Sequence, residues 1–386
     1  MSDIEEIVLD LEARFDDIAL RYVRAWKEAA PGRLAVGCMP VFAPREVMWA
    51  AGALPVFVRG GGDRVETVRG DAYYQSYICH IPRSTLELGL AGHLDVLDGM
   101  VFPNTCDVIR NLSGVWQGTF PQHLVRFLDP PQSADAASAV PYLRAELLAY
   151  WEELSQRSGR AVSDEALAAA VGEYRAAGDA MERLAAARVA EPWNLPFDEV
   201  YLLRRAGDAM PPMDFVALVD RYLAAARARG RRAEDRIRVL LVGAFCEQPP
   251  LAMLRAIERA GCYVVDDDLT LGLEGAPVVA GDDPLDRVAR AWLASSRPSA
   301  VRFDAQGTAG TELAARARGA RADGVIFAAP SFCDPALLDQ PRLTRVLEAE
   351  GIPYTAFKYA ENTGQFQSIR EQSGTFADSV KLWGHA

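Results

Sequence analysis

Lysine is nearly missing from this chain. Only Lys27, Lys358 and Lys381 occur among 41 basic residues, and the rest are arginine. None of the three follows a glycine, so a phosphate-binding loop ending in Gly-Lys-Ser or Gly-Lys-Thr cannot exist here. Long apolar runs are also missing, and nothing approaches the ~20 residues of a membrane span. The first residues, Met1-Ser2-Asp3-Ile4-Glu5-Glu6, are acidic and lack an apolar core, so no secretion signal is expected. Net positive charge is absent: the formal charge of −12 argues against general nucleic-acid binding. Cysteine is scarce but not absent. Six thiols without a secretion signal point to a reducing, cytoplasmic setting and to metal or redox use rather than disulfides.

What is present is ordinary for a globular protein, with half of the residues apolar. A chain of 386 residues exceeds what one core usually supports, so two or three domains are expected. Residues 1–32 read as an N-terminal helix, with Ile7, Leu11, Phe15, Ile18, Tyr22 and Trp26 at helical spacing before Pro31-Gly32. Residues 33–140 alternate short apolar strands with helices and form a first α/β lobe. Residues 141–235 are rich in Ala, Leu, Arg and Glu, offer no convincing strand, and read as a helical segment. Within it Ser163 caps a helix that opens on Asp164 and Glu165, and Pro211-Pro212 separates two others. Residues 236–386 restart the alternation as a second lobe, and short links between strand and helix imply parallel sheets.

The stretch from Gly70 to Trp116 organises the first lobe. Met100 to Phe102 end a buried strand, and Cys106-Asp107 sits where the next helix begins. A thiol there lies at the carboxyl edge of a sheet and faces a helix N-terminus, which favours a thiolate. The second lobe repeats the pattern: Asp323-Gly324-Val325-Ile326-Phe327 runs through Pro330-Ser331-Phe332 into Cys333-Asp334. Val36-Gly37-Cys38 and Val242-Gly243-Ala244-Phe245-Cys246 form a second matching pair, each followed by helix, glycine and strand. The expected fold is therefore two similar Rossmann-like lobes with parallel sheets, linked by the helical segment and facing each other across a cleft. Cys106 and Cys333 converge on that cleft, and Cys79 is supplied by the loop before Pro82. Taken singly each reads first as a buried core thiol. Together, three thiolates in one cleft are metal-ligand chemistry.

The remaining polar and sulfur residues divide as follows. Cys38 and Cys246 sit at strand ends and are expected to line the cleft without binding metal, whereas Cys262 belongs to the core. His80, beside Cys79, is a candidate proton donor or hydrogen-bond partner, with a half-exposed loop histidine as the alternative. Glu46 complements a helix start. Asp266-Asp267-Asp268 reads as a solvated acidic turn, with a part in shaping the cleft as the alternative. Gly60-Gly61-Gly62 is a turn. Arg83 and Arg110 are candidates for anionic phosphates or a partner surface.

Three phrases carry a family resemblance: Gly61-Gly62-Asp63; Gly70-Asp71-Ala72-Tyr73-Tyr74-Gln75-Ser76-Tyr77-Ile78-Cys79-His80-Ile81-Pro82-Arg83; and Cys106-Asp107-Val108-Ile109-Arg110-Asn111-Leu112-Ser113-Gly114. Over nearly its full length the chain resembles the benzoyl-CoA reductase and 2-hydroxyacyl-CoA dehydratase family, and these phrases look like its smaller cluster-bearing, C-type subunits of the ATP-dependent reductases. The resemblance implies one [4Fe-4S] cluster in the cleft, held by Cys79, Cys106 and Cys333. It implies a homologous larger cluster-bearing subunit, an ATP-hydrolysing activator subunit pair, ferredoxin as electron donor and benzoyl-CoA as substrate. Alternatives within that frame are a 2-hydroxyacyl-CoA dehydratase subunit and a non-catalytic electron-relay or scaffold subunit. Three thiolates leave one iron of a cubane open, and negative sulfur in an apolar site pushes its potential down.

Overall fold

The computed structural model describes residues 2–134, 136–245, 249–269, 279, 281, 283–294, 300–301, 303–304, 306–360 and 366–383. The chain opens on two helices, α1 (Asp3–Phe15) and α2 (Arg21–Glu28), where periodicity alone gave one. The break has a local cause. Leu20 is left-handed at φ 53°, and the Asp17 carboxylate accepts from the Tyr22 amide at 3.1 Å and from Arg21 Nε at 3.0 Å.

The first sheet unit runs β1 (Leu34–Cys38), α3 (Arg45–Ala50), β2 (Ala53–Phe57), α4 (His80–Leu90), β3 (Gly99–Pro103), α5 (Asp107–Thr119) and β4 (Leu124–Leu128). Four helices follow: α6 (Ala139–Ser158), α7 (Asp164–Ala190), α8 (Phe197–Gly207) and α9 (Pro212–Arg229). Ser163 caps α7 by accepting from the Ala166 amide, and Pro212 opens α9 at a position where its missing N–H costs nothing. The second sheet unit runs β5 (Ile237–Val242), α10 (Leu251–Arg259), β6 (Cys262–Asp267), α11 (Pro284–Ala294), α12 (Ala309–Gly319), β7 (Gly324–Pro330), α13 (Asp334–Ala349), β8 (Tyr354–Tyr359) and α14 (Phe366–Trp383).

Both sheets are four-stranded and wholly parallel, in the orders β2-β1-β3-β4 and β6-β5-β7-β8. The strand order is the same in each. The central strands are buried on both faces, which is why they read in sequence as continuous apolar runs rather than alternating ones. In each sheet the chain leaves in opposite directions from one pair of neighbours, β1/β3 and β5/β7. The crevice beyond the carboxyl ends of such a pair is where parallel sheets take ligands.

Two helices tie the halves together. α11 follows β6 in sequence, yet Leu285, Val288, Ala289 and Leu293 are buried with Leu143, Leu147 and Trp151 of α6 in the first unit's core. α7, about 40 Å long at 1.5 Å per residue, buries Leu167 and Ala170 in that core at its start. At its end Arg188 donates to the Val264 carbonyl of β6 at 2.6 Å and pairs with the buried Asp267.

Candidate functional site

β3 and β7 occupy the same place in their sheets, and both end on a proline, Pro103 and Pro330. Three residues on, Cys106 and Cys333 are the N-caps of α5 and α13, and Asp107 and Asp334 are the first helical residues. Cys79 is likewise the N-cap of α4. All three thiols therefore stand at helix starts, where unpaired amides and the helix dipole favour negative charge.

Cys79 is buried with Val58, Ile81, Phe102 and Ile109, and Cys106 packs half-buried on the same cluster. Cys333 lies in a different cluster with Val41, Phe245, Ala329 and Ala336. Val41 follows β1 and Phe245 follows β5, so this cluster joins the two carboxyl edges. The Thr105 hydroxyl donates to the Pro40 carbonyl at 2.9 Å, fixing the loop before Cys106 to the loop after β1. Across the same junction Asp334 lies close enough to Cys106 to raise its pKa.

Burial outweighs the helix start for Cys106. It pushes the thiol up, the amides of Ile109 and Val108 pull it down, and Asp107 and Asp334 push it up again. The expected thiolate is thus a thiol in the protein alone, and a metal would have to displace its proton. Among the described residues no three His, Cys, Asp or Glu side chains form a group able to hold a metal ion. The thiols are placed around the junction without being assembled. In kind they fit an iron–sulfur group: soft donors, each at a positive helix start, in largely apolar surroundings.

Other expected residues fall differently. His80 is no half-exposed loop residue; it is buried as the first residue of α4, and its carbonyl accepts from Ser84 Oγ at 3.1 Å. Cys38 does not line the cleft. It is fully buried in the first core, 3.7 Å from Met48 Sδ, and burial drives its thiol far above the ordinary value. Cys262 is core, and Cys246 lies outside the described residues. Glu46 is in the first turn of α3, Arg83 pairs with Asp71 at 3.1 Å, and Arg110 is exposed on α5.

The acidic run after β6 is not a solvated turn. Asp266 pairs with Arg316 at 2.9 Å. Asp267 is buried between Arg188 and Arg204; the two guanidinium groups overcome burial and hold its carboxyl well below the usual range. Asp268 accepts from the Gly243 amide at 2.8 Å, and burial pushes its carboxyl up to about 7. Its Oδ1 is buried with no partner among the described residues. Asp268 lines a cavity of about 640 Å³, open mouth included, beyond the ends of β5 and β7, with Phe245, Leu313, Phe327 and Ala336. Sequence reasoning held a part in shaping the cleft only as the alternative for these acids. The signal was there in Val265-Asp266-Asp267-Asp268: acids at the carboxyl end of a parallel strand face the switch crevice.

Exposed aromatics cluster in sequence around the thiols. Tyr73 and Tyr77 precede Cys79, and Phe332, half exposed and left-handed at φ 65°, precedes Cys333. No described helix is long and apolar enough to cross a membrane.

Comparison with known proteins gives a consistent set. Residues 40–380 match the family described as 2-hydroxyglutaryl-CoA dehydratase, D-component. The chain is 46% identical over 382 residues, 98% of its length and 99% of the relative's, to a benzoyl-CoA reductase subunit of Thauera aromatica. It is 26% identical to the lactoyl-CoA dehydratase subunit beta of Anaerotignum propionicum, over 98% of this chain and 100% of that one. It is 25% identical to the (R)-phenyllactyl-CoA dehydratase beta subunit of Clostridium sporogenes, over 90% and 92%.

Proposed function

The chain belongs to the 2-hydroxyglutaryl-CoA dehydratase D-component family, and from that premise we propose that it is the iron–sulfur subunit of a benzoyl-CoA reductase. The reaction would be the ATP-dependent, two-electron dearomatisation of benzoyl-CoA to a cyclohexadienoyl-CoA. The observation that carries the assignment is the 46% identity over 98% of the chain to the Thauera aromatica benzoyl-CoA reductase subunit, against 25–26% to the dehydratase subunits, and the placement of Cys79, Cys106 and Cys333 at three helix starts supports it.

These three cysteines would hold a [4Fe-4S] cluster, which supplies one-electron reduction at low potential. The chain's own contribution is physical. The first-turn amides of α4, α5 and α13 offset the negative charge of bound sulfur, and the apolar clusters around Cys79 and Cys333 exclude water. His80, in the turn that Cys79 opens, would hold a proton beside the site. Tyr73, Tyr77 and Phe332 offer an apolar surface that a homologous, larger cluster-bearing subunit would cover. An ATP-hydrolysing activator subunit pair, fed by ferredoxin, would deliver the electrons, since this chain has no lysine-bearing phosphate loop of its own.

The reconstituted complex tests this. A reductase consumes ATP in step with electrons passed to benzoyl-CoA, because each turnover needs new electrons. A dehydratase needs ATP only to start. Dehydration of a 2-hydroxyacyl-CoA that continues after ATP is removed, with no ring reduction, would replace the proposed activity with the dehydratase one.

A further inference from the structure

Three guanidinium groups meet at a small pocket where the two halves of the chain touch. Arg59 and Arg64 come from the segment after β2 and Arg205 from α8, while Pro249 and Pro250, leading into α10, close the far side. Arg59 has a fully buried side chain that grips Asp208 through Nε at 2.8 Å and Nη2 at 3.1 Å. Its Nη1 is left buried with no partner among the described residues. Arg64 donates through Nη1 to the Phe15 carbonyl, and its Nε is also buried and unpartnered among the described residues. Arg205 directs Nε to Asp208 and Nη1 to the Tyr201 hydroxyl, both at 3.0 Å.

Buried positive charge is in excess here. Arg59 and Arg205 share one buried carboxylate, Asp208, while Arg64 faces exposed ones: Asp63 at the rim is exposed, and Asp16, 3.8 Å from Arg64, is 69% exposed, so solvent screens both. The protonated form of Arg64 is disfavoured first by burial and then by Arg205. The N-terminus of α10 adds its partial positive charge from the other side.

We propose that this pocket binds a phosphate group. Guanidinium N–H groups left unpaired inside a cationic pocket match the oxygens of a phosphate in geometry and charge. The place also fits. Gly60, at φ +77°, lies so close to the first turn of α4 that a Cβ there would sit 2.5 Å from Ser84 Oγ and 3.6 Å from Ile81 Cα. That turn begins at Cys79, so the pocket stands one helical turn behind the proposed ligand site. Resting on the function proposed above, the phosphate is one carried by a CoA thioester. Free inorganic phosphate has the same chemistry.

Calorimetric titration of the full chain in its purified assembly, with variants in this chain alone, separates the cases. Inorganic phosphate and CoA are expected to bind, and Arg64→Gln is expected to weaken both about tenfold, the loss of one charged hydrogen bond. Asp63→Asn removes a rim carboxylate and should tighten both severalfold. This gain cannot come from a damaged fold, so it protects the test if Arg64→Gln unfolds. Phosphate binding unchanged in both variants overturns the site. Phosphate binding that follows both variants while CoA affinity ignores them overturns the thioester source alone. Neither readout involves ring reduction, so failure here is distinct from failure of the reductase assignment.

Discussion

Asp334 belongs to the second half of the chain and Cys106 to the first, yet the carboxylate of one raises the pKa of the other's thiol. Each residue sits at the start of the helix that follows the third strand of its sheet order, β7 or β3. The two carboxyl edges thus face each other closely enough for a charge on one to be felt on the other. That relation can be tested in the metal-free protein. Asp334→Asn should lower the Cys106 pKa and speed its alkylation near pH 8 by about two- to threefold, as expected for removal of one nearby like charge. Peptide mapping of the alkylated protein reads the rate, and an unchanged rate would mean that Asp334 and Cys106 do not interact.

Iron content tests the ligand set. Anaerobically purified protein should carry about one cubane of iron and sulfide per chain. Cys79→Ala, Cys106→Ala and Cys333→Ala should each lose most of it, and Cys262→Ala, at a core position of β6, should not. A well-folded triple variant that kept its iron would show that other groups hold it.

Asp268 makes stability depend on pH in a direction opposite to most carboxylates. Its folded pKa of about 7 exceeds the ordinary 3.8, so the folded state binds the extra proton between those values. Its contribution is full below about pH 4 and is lost as the pH rises toward 7. The gradient amounts to a few kcal/mol at most, about 1.4 per unit. Asp268→Asn keeps an oxygen for the Gly243 amide and removes the charge. It should flatten the melting-temperature profile between pH 5 and 8 relative to wild type and stabilise the protein at pH 8. Parallel profiles would refute the burial of an ionisable carboxyl.

Arg188 is 1% exposed and pairs with Asp267, which Arg204 also holds at 2.9 Å. Truncating it leaves the buried carboxylate with Arg204 as its remaining guanidinium partner and removes the bond to the Val264 carbonyl, so Arg188→Ala should cost about 3 kcal/mol. Denaturant unfolding measures this, and a loss under about 1 kcal/mol, the scale of a surface pair, would mean that the pair is not buried in solution.

Much of the fold was legible in the sequence because buried parallel strands are short apolar runs with sharp ends. Met100 to Phe102 was read as the end of a buried strand and lies in β3, and the Cys-Asp helix starts were read to the residue. The failures share a cause. Asp266, Asp267 and Asp268 looked solvated because their partners, Arg316, Arg188, Arg204 and the Gly243 amide, lie 25 to 79 positions away. The depth of Cys38 depends on which face of β1 meets Met48, and the helix break at Leu20 on an Asp17 side chain that composition does not reveal. At the site, the sequence located Cys106 and Cys333 at helix starts but put Cys79, the N-cap of α4, in a loop, and it did not weigh burial against the helix for Cys106.

The crossing of α11 has a consequence for dissection of the protein. Although the chain reads as two halves in tandem, a fragment ending near residue 235 would lack Leu285, Val288, Ala289 and Leu293, and the α6 face bearing Leu143, Leu147 and Trp151 would stand bare. A fragment beginning there would carry the same helix with nothing to cover it. Any exchange of lobes between relatives must therefore move α11 with the sheet unit it covers rather than with the sheet it follows.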